Sequence, residues 1–214
     1  MLDIAVVGGG PAGLRAAWIS AIMGAKTIVF EENSQIGIPR HCTGLLSMKG
    51  AQLIGRPALA SVINTLKSLE IQVLSGPRLK IIFKKPKTAV LDRIKYERLL
   101  AEECIKAGAE IRLGHKVERI IQSIEGVKLK IAFKGGRYEV KARWVIVAEG
   151  VAGRLLKEYG CKPPNGRLPA AQNLIELPSW HRETARIILS NTYAKGFFSW
   201  IVPTGNQNVL VGLA

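Results

Sequence analysis

Gly8, Gly10 and Gly13 stand at the spacing G-x-G-x-x-G, with Pro11 and Ala12 between the last two, and a carboxylate, Glu31, follows 18 residues after Gly13. This pattern suits a dinucleotide. The first glycine permits a tight turn, the second lets backbone approach a pyrophosphate, and the third lets a helix sit close on a strand. The helix start adds N–H groups and a positive dipole end for the phosphates. Glu31 is placed to accept the hydroxyls of an adenosine ribose, and its charge repels a 2′-phosphate, so NADP does not fit this site. Cys42 lies beside Arg40 and His41. A neighbouring cation favours the thiolate there, and a small loop residue that merely packs accounts for Cys42 equally well.

The elements that must position these residues read directly. Asp3–Val7 is an apolar run suited to a buried parallel strand. A helix follows over Pro11–Met23, with Pro11 in its first turn and Gly24 as its stop. Lys26–Glu31 is the second strand. A lone G-x-G-x-x-G is weak, but strand, turn, helix and acid in this order identify a dinucleotide site. Farther on, Ile94–Ala107 has helical periodicity and ends at Gly108, and Glu110–Leu113 is a third parallel strand. Val117–Ile124, Val127–Phe133 and Arg137–Val140 form a meander, and Trp144–Val147 returns as a buried strand. After a proline-rich stretch, Lys162–Pro169, strands are expected at Ala171–Glu176, Ala185–Leu189, Gly196–Val202 and Val209–Leu213. Two domains are expected: a dinucleotide-binding one over 1–160, with its meander at about 117–140, and the start of a substrate-binding sheet over 161–214.

The 214 residues are 48% hydrophobic and 22% charged, which is globular composition. No apolar run approaches the roughly 20 residues of a spanning helix, and no secretory leader is read at the start. Three cysteines without a C-x-x-C argue against a disulfide scaffold and a cysteine zinc site, and no metal is expected. The expected location is cytoplasmic, peripheral at the inner membrane surface. The net charge is +15, and residues 76–145 hold 18 basic against 8 acidic groups. Such a field attracts anions, including an anionic bilayer surface, and equally describes a solvated lysine-rich sheet. With 6% aromatics and no nucleic-acid motif, nucleic acid is not expected as a partner.

Four stretches carry a resemblance. Gly8-Gly9-Gly10-Pro11-Ala12-Gly13 with Glu31 resembles the FAD form of the motif. Ile36–Ser47, with its Arg40-His41-Cys42-Thr43-Gly44 core, resembles a loop of the geranylgeranyl reductase family of flavoproteins. Leu91–Leu100, containing Asp92-Arg93, is similar to a helix-opening segment of that family, and Phe198-Ser199-Trp200-Ile201-Val202-Pro203 to its Tyr-x-Trp-x-Phe-Pro motif. The resemblance implies an α/β fold: a Rossmann-like, para-hydroxybenzoate hydroxylase-like three-layer FAD domain with an antiparallel β substrate portion. It implies FAD as cofactor, held by Gly8, Gly10, Pro11, Ala12, Gly13, Glu31, Arg40, Cys42, Gly44 and Arg93, with Val117 offering backbone to the adenine. It implies a prenyl cavity at Phe198, Trp200 and Pro203, a prenylated lipid substrate, and reduction of isolated C=C bonds. No catalytic residue is assigned beyond Cys42 as a candidate near the flavin, and the electron donor is not legible. Phe198 stands where the family has Tyr, and Val202 where it has Phe. The family's late Gly-Asp segment is not found, so the chain reads as the N-terminal portion: a fragment, a split half completed by a second polypeptide, or a non-catalytic remnant. An aromatic hydroxylase relative is the remaining alternative.

Overall fold

The computed structural model describes residues 1–162 and 166–214. Within the proline-rich stretch read over Lys162–Pro169, residues 163–165 lie outside the described residues. In chain order the elements are β1 (Leu2–Val7), α1 (Pro11–Ile22), β2 (Thr27–Glu31), β3 (Leu45–Ser47), α2 (Met48–Ile54), α3 (Arg56–Leu59), β4 (Val62–Leu66), β5 (Ser68–Val73), β6 (Arg78–Ile82) and β7 (Thr88–Leu91). There follow α4 (Arg93–Lys106), β8 (Glu110–Leu113), β9 (Lys116–Ser123), β10 (Gly126–Phe133), β11 (Gly136–Val147) and α5 (Arg154–Glu158). The last strands are β12 (Ala171–Glu176), β13 (Thr184–Leu189), β14 (Ser199–Gly205) and β15 (Asn208–Leu213).

Two compact units result, Met1–Arg40 with Ile94–Asn165 and His41–Arg93 with Gly166–Ala214. The chain thus changes unit three times, where the sequence reading placed one boundary near residue 160. Residues 41–93 join the second unit because β5 pairs in parallel with β13, from Ser68 opposite Thr184 to Val73 opposite Leu189.

The first unit is built on a sheet of order β8-β2-β1-β11-β10-β9. β1 lies between β2 and β11, parallel to both. Its Ala5, Val6 and Val7 are buried, as is all of β2, which explains their unbroken apolar runs. Gly13, Leu14, Ala17 and Ala21 form the buried face of α1. Leu2, Ile28, Phe30, Leu129, Ile131 and Leu155 form the core on which the meander closes. α4 buries Tyr96, Leu100, Ala101 and Cys104.

The meander's third strand and the returning strand are one element. β11 pairs antiparallel with β10 through Ala142, then continues beside β1 through Val147. Beyond Ala142 no strand flanks its other side among the described residues. Trp144, expected buried, is therefore 70% exposed at an open edge.

The second unit has a sheet of order β12-β15-β14-β13-β5-β6 and a small sheet β3-β7-β4. β14 and β15 join through Asn206 and Gln207 with φ of 50° and 65°, the two left-handed positions of a tight hairpin. This turn sets the strand at Ser199–Gly205, later than the Gly196–Val202 expected. Leu66, Val90, Ala185, Val202 and Leu210 form the core, with Leu69 and Trp200 packed against it.

Candidate dinucleotide site

The glycine loop sits where the parallel strands end. Gly8 N–H donates to the Phe30 carbonyl at 2.9 Å, and Ala148 N–H to the Val7 carbonyl at 2.8 Å, so β1, β2 and β11 finish side by side. Ligands of open α/β sheets bind at such carboxyl ends. Gly8 has φ +102°, and a Cβ there would run into the Ala148 carbonyl. A Cβ on Gly13 would run into the Gly8 carbonyl and come within 3.2 Å of Val6 Cγ1. The chain's own packing therefore demands both glycines.

Gly10 differs. Its backbone is extended, with φ −78°, and a Cβ there would have nothing within 4 Å. Among the described residues no contact requires glycine at this position. Its missing side chain leaves open space over the first turn of α1, where Pro11 gives up no useful donor and the Ala12 and Gly13 N–H groups have no earlier carbonyl to meet. An open cradle bounded by helix N–H groups fits a pyrophosphate.

Glu31 ends β2 and is buried. Its Oε2 accepts Gly9 N–H at 2.5 Å, and its Oε1 accepts both Asn33 N–H and Asn33 Nδ2 at 2.8 Å. A carboxylate has about four acceptor positions, so the donors described fill three and leave one open. Asn33 escaped the sequence reading, although an amide two residues beyond an acid is a common turn signal. Val117, expected to offer backbone to adenine, is buried, and its carbonyl accepts Arg154 Nη2 at 2.8 Å. Arg154 Nη1 also reaches the Glu118 carbonyl, at 2.7 Å. Glu149, at the end of β11, caps α5 through the Leu155 and Leu156 N–H groups at 3.0 and 2.9 Å. Arg40 closes the first segment of this unit.

Within the second unit, Gly44 has φ +88°, and a Cβ there would strike the Leu91 carbonyl and lie 3.3 Å from Arg93 Cγ. Gly44 and Arg93 are thus brought together. Gly44 N–H reaches Cys42 Sγ at 3.5 Å, and Cys42 is exposed. Thr43 holds the loop through its hydroxyl to Gln172 at 3.0 Å. Phe198 meets Trp200 edge-on at 6.2 Å and stacks on Phe197 at 4.2 Å. Trp200 lies flat against Gly212 opposite it, where a Cβ would overlap the indole ring. Its ring nitrogen is buried, with no hydrogen-bond partner among the described residues. Pro203 is buried and its carbonyl accepts Asn64 Nδ2 at 2.9 Å. Val202, which stands where the family has Phe, is 1% exposed in the core. An apolar cavity of about 400 Å³ lies beside Ile187, the strand partner of Trp200, and Leu45, Leu46, Leu66, Leu69 and Phe83 line it with Lys87 among its few polar groups.

Known proteins agree with this geometry. The family described as FAD binding domain matches residues 1–209. A digeranylgeranylglycerophospholipid reductase of Methanopyrus kandleri is 27% identical over 99% of this chain and 57% of its own length. A Methanosarcina barkeri protein known from the nifH2 5′ region is 32% identical over 89% of this chain and 96% of its own. A solved geranylgeranyl bacteriochlorophyll reductase-like protein of Thermoplasma acidophilum superposes with a TM-score of 0.86 at 26% identity, over 99% of this chain and 56% of that one. A Pseudomonas putida p-nitrophenol 4-monooxygenase shares the fold with a TM-score of 0.82 at 19% identity. The chain spans about half the length of the reductases it matches. With its glycine cradle, acid-tipped second strand and para-hydroxybenzoate hydroxylase-like architecture, the chain belongs to the FAD-binding domain family, and FAD is the dinucleotide its site takes.

Proposed function

We propose that this chain is the FAD-binding part of a reductase that saturates isolated C=C bonds in the geranylgeranyl chains of a membrane lipid. The observation that carries the reading is similarity along 99% of the chain to proteins named digeranylgeranylglycerophospholipid reductases. The apolar cavity lined by Ile187, Leu66, Leu69 and Phe83 supports it, since a prenyl chain needs a dry slot and offers no polar handle, although Phe198, Trp200 and Pro203 are not among its lining residues. Bound FAD supplies hydride chemistry. The α1 N-terminus, with Gly10 to Gly13, would hold the pyrophosphate, and Glu31 the ribose. Arg40, Cys42, Gly44 and Arg93 are assigned to the flavin, and the Val117 backbone to the adenine. Phe198, Trp200 and Pro203 are assigned to the prenyl chain. An unactivated alkene has no carbonyl to polarise, so the side chains orient and exclude water rather than act through a carboxylate pair.

A second polypeptide completing the fold is part of the proposal, and the open side of β11 supports it. Five residues, Arg143–Val147, have β1 on one side and no strand on the other among the described residues. The first test is the visible spectrum of the chain after loading with FAD and desalting. Retained, perturbed flavin absorbance is expected. Reduced protein is then given a geranylgeranylated lipid, and mass spectrometry reads one dihydrogen gained per double bond. Retained flavin with turnover of a phenol and no change in the lipid would replace this reading with an aromatic hydroxylase. Colourless protein, alone and with candidate partners, would leave a non-catalytic remnant.

A further inference from the structure

We infer that the free edge of the second unit, formed by β6 and the loop after it, docks on the surface of an anionic lipid bilayer. Between Glu70 and Asp92 the sequence has no acidic residue, and it has Arg78, Lys80, Lys84, Lys85 and Lys87. Arg78 and Lys80 are engaged by the buried Glu70, at 3.8 and 3.3 Å. Lys84, Lys85 and Lys87 are exposed and make no ion pair among the described residues.

Apolar groups accompany these lysines. Every residue of β6 is exposed, with Leu79 at 59% and Ile82 at 71%. Leu79 and Ile81 stand opposite Ile71 and Leu69, so they extend the apolar face that carries Ile187 and the core out to the sheet's edge. Edge strands in proteins are blunted by short length, charge, proline, bulges or a covering element. This one alternates cation and aliphatic, and three unpaired lysines follow it. Nucleic acid would draw on the cations alone, and a protein groove would not need three free lysines. An anionic bilayer uses both, with lysines at the headgroups and aliphatic side chains at the acyl boundary. Among the described residues no helix is long and apolar enough to cross a membrane. Phe83 and Lys87, in the loop after β6, also line the apolar cavity.

The inference stands apart from the reductase reading, because its test needs no turnover. The whole chain is floated with vesicles of phosphatidylcholine alone or mixed with phosphatidylglycerol, at low and at high salt. Binding is expected only to the mixed vesicles, weakening with salt. The K84A/K85A/K87A variant is expected to lose on the order of 100-fold in partitioning, from about fivefold for each lysine. Leu79→Ser with Ile82→Ser is expected to abolish the fraction that survives high salt. K128A/K130A/K134A, an equal loss of charge on the first unit, is the control, and thermal melts confirm that each variant folds. Equal binding to both vesicle types overturns the inference. So does an equal loss in the control variant, which would make net charge the whole cause, or polyanionic RNA displacing the chain while both serine substitutions have no effect.

Discussion

Replacing Gly10 and Gly13 separately by alanine distinguishes a glycine kept for a ligand from one kept for the fold. At Gly10 a Cβ meets nothing within 4 Å, and the backbone, at φ −78°, suits alanine. Alanine restricts the unfolded chain, worth about 0.4–1 kcal/mol of stability. It is also a poorer N-cap than glycine, costing roughly 0.5–1 kcal/mol. The two nearly cancel, so Gly10→Ala should leave the Tm of the FAD-free chain within about 2 °C. The new methyl fills the cradle, however, and a single charge-assisted bond to phosphate is worth about 1.5–3 kcal/mol. FAD should then bind roughly 10–150-fold more weakly. At Gly13 the Cβ strikes the Gly8 carbonyl, a backbone atom that cannot swing aside, so α1 must lift from β1. Overpacking of this kind costs about 3 kcal/mol, and the Tm should drop by roughly 6–12 °C. Thermal melts without FAD and flavin-fluorescence titrations read both. A Gly10→Ala chain that melts as early as Gly13→Ala, or that binds FAD as tightly as the native chain, would refute the reasoning.

Glu31→Gln should lower the Tm by roughly 4–8 °C even without FAD, because an amide nitrogen must then face a Gly9 or Asn33 donor, at about 2 kcal/mol; an unchanged melt would dismiss the hydrogen-bond count. Burial works to raise the carboxyl pKa of Glu70, but hydrogen bonds from Arg186 and Lys80 and the charges of Arg186 and Arg78 outweigh it, leaving it below the ordinary value. Its folded pKa is depressed, so its contribution is full above the ordinary carboxylate range and lost as pH falls through the folded value; Glu70→Gln should flatten the acid side of a Tm–pH profile. Burial pushes the Cys104 thiol up to about 11, so iodoacetamide at pH near 8 should label the exposed Cys42 and Cys161 in the folded chain, and mass spectrometry should find Cys104 modified only after denaturation.

What the sequence made legible was local. The β1–α1–β2 unit, α4, β8 and the meander each announce themselves within about 30 residues, through apolar runs, a proline at a helix start and glycines at turns. Residues 41–93 were opaque for a physical reason: β3, β4 and β7 are three to five residues long, and β5 finds its partner 116 positions away, opposite Ser68 and Thr184. Periodicity cannot report a partner at that distance. β11 looked like two strands because Lys141 and Arg143 interrupt the hydrophobic pattern just where its partnership changes from β10 to β1. In the site, the glycine spacing was readable, but the separate reasons for each glycine were not. The contacts of Asn33, Glu149 and Arg154 were invisible until the loop ends were brought together.

β1 carries a further consequence in its timing. One neighbour, β2, follows it within about 25 residues, while the other, the far half of β11, is paired from Ala142 to Val147. Val7 must therefore wait for a residue 140 positions later. At the roughly 5–20 residues per second of protein synthesis, that is about 7–28 s, during which one side of an apolar strand is exposed on a nascent chain. Over the same interval the chain leaves the first unit at residue 41 and re-enters it at 94. A half-finished glycine loop cannot hold its dinucleotide before β11 arrives, so cofactor capture should wait until Val147 has been made, and a strand that spans two partnerships sets the earliest moment at which it can happen.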